Sequence, residues 1–339
     1  MARTKLSEVQ IVPPKWLWYP YLVGDNVNLI GGESGTGKTW FLCALMAAVT
    51  TGEQPDGMPG KLFPGSGKCL YYGSEDGASA LADRCKRQGA DLNKIEVVEG
   101  YIDIMTKALE SDITEVKPAL VVFDPLFSFW PPSYSTIRAE DVRKVMDRLK
   151  RLAADLNTCI VAVVHPGKNR SYSLDNRFGG SRQFVDAVRS AIYIGWHPHT
   201  QGERVAYQCK TNVAEAPPLQ FTLDIDLGMI WNGESNVTRK EVEAAERLER
   251  NTSGNSVNQV VYMIQELLKA NPKGVRLTAK ELSKELNKLT PLQLNPYAFG
   301  RALNSPILKT LLDHAGIAMA TTNKGNRRSY SLYSKALIK

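Results

Sequence analysis

Cysteine and histidine are scarce in this sequence, five and four among 339 residues. The five cysteines, Cys43, Cys69, Cys85, Cys159 and Cys209, are widely spaced with no CxxC pair. That excludes a disulfide scaffold and a zinc ribbon and points to reduced packing residues. No uninterrupted apolar run approaches the ~18 residues of a membrane-spanning helix, and MARTKLSEVQ offers no apolar core or cleavage site. A cytoplasmic protein with no membrane partner is the expectation. Acidic residues are outnumbered, 35 against 42 Lys and Arg, for a formal charge of +7. An excess of that sign suits an anionic partner such as nucleic acid. It is unevenly placed: residues 251–339 hold 13 basic and 4 acidic residues, leaving 29 and 31 in the first 250. The basicity belongs to the tail.

With 43% hydrophobic and 23% charged residues, the chain has the composition of a globular protein and the length of one substantial domain plus a small one. After a Pro- and Trp-rich opening segment, residues 1–25, apolar runs alternate with helical patterns. NVNLI and KCLYYG predict strands, and ALVVFD and CIVAVVH predict buried ones. Residues 39–52 and 76–89 predict helices closed by Gly52 and Gly89. Between Arg138 and Asn157, the residues Val142, Val145, Met146, Leu149, Leu152, Ala153 and Leu156 share one helical face. Further strands are expected at AIYIGW, VAYQCK and LQFTLDID. This alternation predicts an α/β domain over 26–235 with a mainly parallel, doubly wound sheet. The polar stretch 236–257 reads as a charged linker. Over 258–339, amphipathic VVYMIQELLKA, a capping box of Thr278 and Glu281, and Asn295 before Pro296 predict three helical segments. The strands IAMAT and SYSLY then enclose basic NKGNRR, and helices with such a hairpin form the pattern of a winged helix.

GESGTGKT has the P-loop spacing and sits between a strand and a helix. Its glycines let backbone N–H groups and the helix N-terminus face phosphate. Residues Gly32, Glu33, Ser34, Gly35, Thr36, Gly37, Lys38, Thr39 and Trp40 are the expected nucleotide contacts. Lys38 would reach the β- and γ-phosphates of ATP, and Thr39 would offer its hydroxyl to Mg²⁺. The bland alternative is an ordinary Gly-rich turn. Asp124 ends a buried strand where a second Mg²⁺-holding oxygen belongs, although strand-end Asp residues also serve as caps. Pro125 follows it, so the base that activates water must lie elsewhere. Glu75, at the end of another strand facing the same crevice, is the candidate, with Asp76 either supporting it or merely capping the next helix. His197 and His199 have HxH spacing without Cys or acidic neighbours in sequence, and are expected to be loop residues, not a metal site.

Together these motifs resemble the RecA/DnaB-type ATPases, and within them the RepA-type hexameric replicative helicases of plasmids and mobile elements. The resemblance covers about residues 16–231 and lies in YPYLVGDNVNLIGGESGTGKTWF, LYYGSEDG, LVVFDPL, VVHPGK and GGSRQFVDAVRSAIYIG. It implies a RecA-like P-loop core, ATP with Mg²⁺, and a homo-oligomeric ring, expected to be a hexamer, acting on single-stranded DNA. It places His165 as a γ-phosphate sensor, though Val164 stands where many relatives have a second His, and a satisfied core histidine is the alternative. It makes Arg189 and Lys210 candidates to touch the neighbouring subunit's nucleotide, against an intrachain salt bridge and an edge-strand charge. Residues 166–180, carrying Lys168, Arg170, Tyr172 and Arg177, would be a DNA-binding loop in the ring's channel; basic side chains beside an aromatic suit a single strand with stacked bases. A solvated loop is the alternative. The tail departs from compact relatives. Arg301 and Lys309 on its presumed recognition helix, and Lys324, Arg327 and Arg328 on its wing, could meet duplex or origin DNA, or the unit could dock a primase or initiator. A recombination mediator or helicase loader that does not unwind, and a nucleotide-switched DNA-binding regulator, remain open beside the helicase.

Overall fold

The computed structural model describes residues 4–63, 65–75, 77–166, 174–179, 182–200, 202–251, 257–289, 294–324 and 327–335. Two compact units emerge: residues 1–195 with 204–236, and residues 196–203 with 237–339.

The first unit opens with the short strands β1 (Trp16–Tyr19) and β2 (Leu22–Val23). It continues through β3 (Val27–Gly31), α1 (Lys38–Thr51), β4 (Lys61–Leu62), β5 (Cys69–Gly73), α2 (Ala78–Arg87), β6 (Ile95–Glu99), α3 (Lys107–Val116) and β7 (Leu120–Asp124). Then come α4 (Ala139–Asp155), β8 (Cys159–Val164), α5 (Arg182–Asp186), β9 (Ser190–Trp196), β10 (Glu203–Thr211), β11 (Leu219–Asp224) and β12 (Gly228–Glu234). Nine strands form one sheet in the order β12-β11-β10-β9-β3-β8-β7-β5-β6. Strand β3 pairs in parallel with both β8 and β9, and β7 in parallel with both β8 and β5. The fold is therefore α/β with a large, mostly parallel sheet, as its continuous apolar strands require: β3, β7 and β8 are buried at every position. On α4 the expected face is buried from Val142 to Ala153, with Leu156 half-buried.

Helix α1 has almost no polar face. Ten consecutive residues, Phe41–Thr50, are buried, because the helix is covered by the sheet on one side and by aromatic residues on the other. The Phe41 ring lies 6.1 Å from Trp18 and 5.3 Å from Trp231. Trp18, from the presumed opening segment, is fully buried in this core. The stretch from Trp16 to Val23 is thus an integral layer: β1 pairs with β2 and β4 in a separate three-stranded sheet.

The second unit contains α6 (Arg239–Asn251), α7 (Val257–Ala270), β13 (Val275–Thr278), α8 (Ala279–Leu289), α9 (Pro296–Ala302), α10 (Pro306–His314), β14 (Ile317–Lys324) and β15 (Arg327–Ser334). Its strands form an antiparallel sheet in the order β13-β15-β14. Leu282, Leu286, Phe299, Leu308, Leu312 and Leu332 form the middle of its core. The stretch expected to be a linker is largely helix α6. It packs against α9 and α10, because Val242 is buried and Ala244 and Ala245 join the same core. The capping box is present: Thr278 N and Oγ1 both donate to Glu281 Oε2 at 2.8 Å.

Candidate nucleotide and metal site

Strand β3 delivers the chain to the carboxyl edge of the sheet, and the loop after it folds back into α1. Gly37 makes that turn at φ +92°, a left-handed conformation that costs a glycine little, and stands as the N-cap of α1. Thr36, fully buried, donates its hydroxyl to Glu33 O at 2.9 Å. The Lys38 ammonium, 6% exposed, donates to Gly32 O at 2.9 Å and Glu33 O at 2.8 Å, gathering the loop around one cation. Burial lowers its pKa, opposed by the negative charges of Asp124, Glu75 and Glu33.

Asp124 closes β7 beside this loop. Thr39 Oγ1 donates to its Oδ2 at 3.1 Å, and Tyr71 OH donates to the same oxygen at 2.9 Å. Burial raises the Asp124 pKa; the hydrogen bonds from Tyr71 and Thr39 and the charge of Lys38 work against the rise, while Glu75 adds to it. Glu75 and His165 meet over the same cleft, Oε1 to Nε2 at 3.3 Å, an electrostatic contact that lacks hydrogen-bond geometry. Glu75 is 59% exposed, so water reaches it freely. The cleft holds about 400 Å³ and is walled by Lys38, Thr39, Trp40, Glu75, Asp124 and His165. Sequence-expected residues from four segments of chain are thus brought together.

Hard oxygen donors in contact, one of them an acid in a low-dielectric pocket, suit Mg²⁺. Among the described residues no group of three or more His, Cys, Asp or Glu side chains could hold a metal by itself. A hydroxyl and a carboxylate can share an ion with the oxygens of a phosphate chain, the usual habit of Mg²⁺. The Thr39–Asp124 pair is where it would sit.

Other expected residues lie elsewhere. Arg177, expected on a DNA-binding loop, is a correction: it is 3% exposed, its guanidinium lies 5.6 Å from the Tyr193 ring centre, and Nη1 donates to Tyr193 OH at 3.2 Å. An aromatic face and a hydroxyl receive the cation inside the unit. Lys168, Arg170, Tyr172 and Asp76 lie outside the described residues. Arg189 is exposed just before β9. Lys210 Nζ donates to Val185 O at 2.7 Å and Asp186 O at 2.9 Å, tying β10 to the end of α5 beside a separate polar cavity of about 500 Å³. Burial lowers its pKa; Asp186 opposes this, while the neighbouring cations Arg189, Lys150 and Arg182 reinforce it. In the second unit, Arg301 and Lys309 are exposed. Arg328 donates to Asn323 Oδ1 at 3.0 Å and Asn304 Oδ1 at 3.1 Å. The side chains of Lys324 and Arg327 lie outside the description. His199 Nε2 approaches Glu241 Oε1 at 2.9 Å, an acidic partner 42 residues away that local spacing does not reveal.

Sequence reasoning missed three contributors to the cleft. Tyr71 is one; a buried tyrosine needs a partner for its hydroxyl, and an apolar run around a tyrosine is the available signal. The others are Arg84 and Leu223, which line the cleft beside Trp40, with the Arg84 guanidinium 5.7 Å from the Trp40 ring centre.

A phosphate-embracing loop after a central parallel strand, with a hydroxyl and a carboxylate joined at its mouth, defines the nucleotide site of a P-loop ATPase. The chain belongs to the AAA domain family AAA_25, which it matches over residues 2–171. No curated protein matches the sequence. Among solved structures, a chain described as an ATPase domain is similar, with a TM-score of 0.47 and 12% identity over 62% of this chain and 85% of that one.

Proposed function

We propose that the protein is a ring-forming DNA motor, a replicative helicase of the RepA-like kind, that moves along single-stranded DNA by hydrolysing ATP. The convergence of Lys38, Thr39, Asp124, Glu75 and His165 on one cleft carries this reading. ATP binds along Gly32–Trp40, with Lys38 at its terminal phosphates. Glu75 accepts a proton from water as the water oxygen bonds to the γ-phosphorus and the bond to the bridging oxygen of ADP breaks. Thr39 and Asp124 would hold Mg²⁺, which when bound would neutralise charge on the phosphate oxygens.

The backbone carbonyl of His165 accepts from Gly179 N at 3.2 Å, so the residue beside Glu75 is also joined to the far end of the expected DNA-binding loop. This supports His165 as the sensor that relays nucleotide state to Lys168 and Arg170. Arg189 and Lys210 act on the nucleotide of the next subunit in a hexamer. The second unit, with helices α6 to α10 ahead of a basic-tipped hairpin, acts as a winged helix in this reading; Arg301, Lys309, Lys324, Arg327 and Arg328 give it affinity for duplex or origin DNA, or it docks a primase or initiator.

The test is ATP hydrolysis stimulated by single strands together with opening of a forked duplex, both abolished by Lys38→Ala. Hydrolysis indifferent to DNA with no fork opened would refute the helicase. A second reading, a RecA-like ATPase that does not unwind and assists recombination or helicase loading, is favoured by Lys210 being bonded within its own chain. Native mass measurement with an ATP analogue and single-stranded DNA separates them: six subunits support the motor, and a stable monomer removes the roles of Arg189 and Lys210 in a neighbour. The regulator alternative would show sequence-selective duplex binding by the second unit.

A further inference from the structure

We infer that Tyr71 is a positioning residue for the Mg²⁺-holding carboxylate of Asp124, and that Gly73 is what allows it to stand there. The inference rests on the ATPase reading of this cleft. Strands β5 and β7 run in parallel register with Gly73 opposite Asp124. Tyr71 lies two residues back on the same face of β5 and is 2% exposed. To reach Asp124 its ring must lean forward along its own strand, across the position of Gly73. The space is available only because residue 73 has no side chain: a Cβ there would collide with Tyr71 Cε1. The hydroxyl then donates to Asp124 Oδ2, the oxygen that Thr39 also addresses.

Two donors on one oxygen fix the carboxylate about both its torsions, and neither bond uses the other oxygen. The orientation is set from beneath by β5 and from the side by α1, before any ligand arrives. Partners of this kind, one step behind a metal ligand, commonly change metal affinity by about 10–100-fold when removed. Tyr71 itself touches no substrate. Its effect runs through Asp124, so it should be visible as a metal requirement, not as a loss of nucleotide recognition.

The experiment uses the full chain and a fluorescent methylanthraniloyl-ADP, with Mg²⁺ titrated from EDTA-treated protein. Tyr71→Phe should raise the Mg²⁺ concentration at half-saturation by about tenfold, while affinity measured in EDTA stays at the unaltered level. Gly73→Ala keeps the hydroxyl but displaces the ring and should move Mg²⁺ dependence the same way. Mn²⁺ binding followed by electron paramagnetic resonance gives the same comparison without a nucleotide fluorophore. An unchanged metal requirement in Tyr71→Phe overturns the proposal. So does equal weakening with and without metal, the mark of a merely structural role. If the unaltered chain takes up no nucleotide under either condition, the ATPase reading falls and this inference falls with it.

Discussion

Glu75 and His165 face each other at 3.3 Å from the ends of different segments, one just past β5 and the other just past β8. Strand β7 lies between those two strands in the order β8-β7-β5, so the contact spans the strand end that carries Asp124. A carboxylate and a residue tied to the adjoining loop therefore share one contact, and the cleft's chemistry can be dissected by changing one side at a time.

Replacing Glu75 by Gln removes the proposed proton acceptor while keeping shape. Turnover should fall by about 10²–10⁴-fold, with ADP affinity retained. Phosphate release and equilibrium nucleotide binding measured on the same preparation provide the check; a variant with full turnover would return the role of base to another residue.

Lys38→Ala removes the buried cation that binds the Gly32 and Glu33 carbonyls. Hydrolysis should drop by at least about 10²-fold, and nucleotide affinity should weaken too, because the loop loses its central donor. Retained affinity with retained turnover would contradict the site.

Arg177→Ala empties a buried position and removes the cation from the Tyr193 ring. We expect a loss of about 2–3 kcal/mol, seen as a fall in melting temperature of roughly 5–10 °C. Arg177→Lys should recover little of it, since an ammonium cannot reproduce a planar guanidinium over a ring. Calorimetry decides, and an unchanged melt would place Arg177 back among the candidates for DNA contact.

Thr238 holds the Glu241 carboxylate through its hydroxyl and backbone N–H, with His199 adding to the effect, and the pKa drops from 4.5 to about 2. The folded value is depressed, so the stabilisation is complete above the ordinary carboxylate pKa and is lost as pH falls from about 4.5 toward 2. The carboxylate is partly exposed, which keeps the effect modest. Thermal melts of the chain and of Glu241→Gln should converge across that window. Parallel curves over the whole acid range would show that the cap carries no charge-dependent stability.

Neutralising Arg301 and Lys309 together should reduce the slope of log affinity against log salt for duplex DNA by about 2, without altering basal hydrolysis. Fluorescence anisotropy at several salt concentrations reads the slope. An unchanged slope would remove this face from DNA binding.

The P-loop and Asp124 were legible because each depends on a local pattern: a buried strand, a glycine turn, a helix. Tyr71 and Asp124 are 53 residues apart, and their bond exists only through the parallel pairing of β5 and β7, which no local pattern specifies. Strand β6 is hard to see in the sequence because IEVVE, at the sheet edge, is partly exposed and carries two acids. Helix α6 reads as a linker since, among its described side chains, Val242 and two alanines mark its inner face. Arg177 misleads for the opposite reason: a basic residue in a polar stretch suggests solvent, and the ring that buries it lies on β9.

The paired register of Gly73 and Asp124 makes the sheet a ruler for the chemistry at its edge. A one-residue slip of β7 would turn Asp124 to the opposite face and bring Phe123 toward the cleft. Alignment of the Asp124 carboxylate is thus inherited from interior pairs such as Tyr71 with Val122, below the edge of the sheet. With Asp124 holding the metal as proposed, a mutation in those pairs would register as a faulty metal requirement, a kind of lesion that inspection of the cleft alone would not locate.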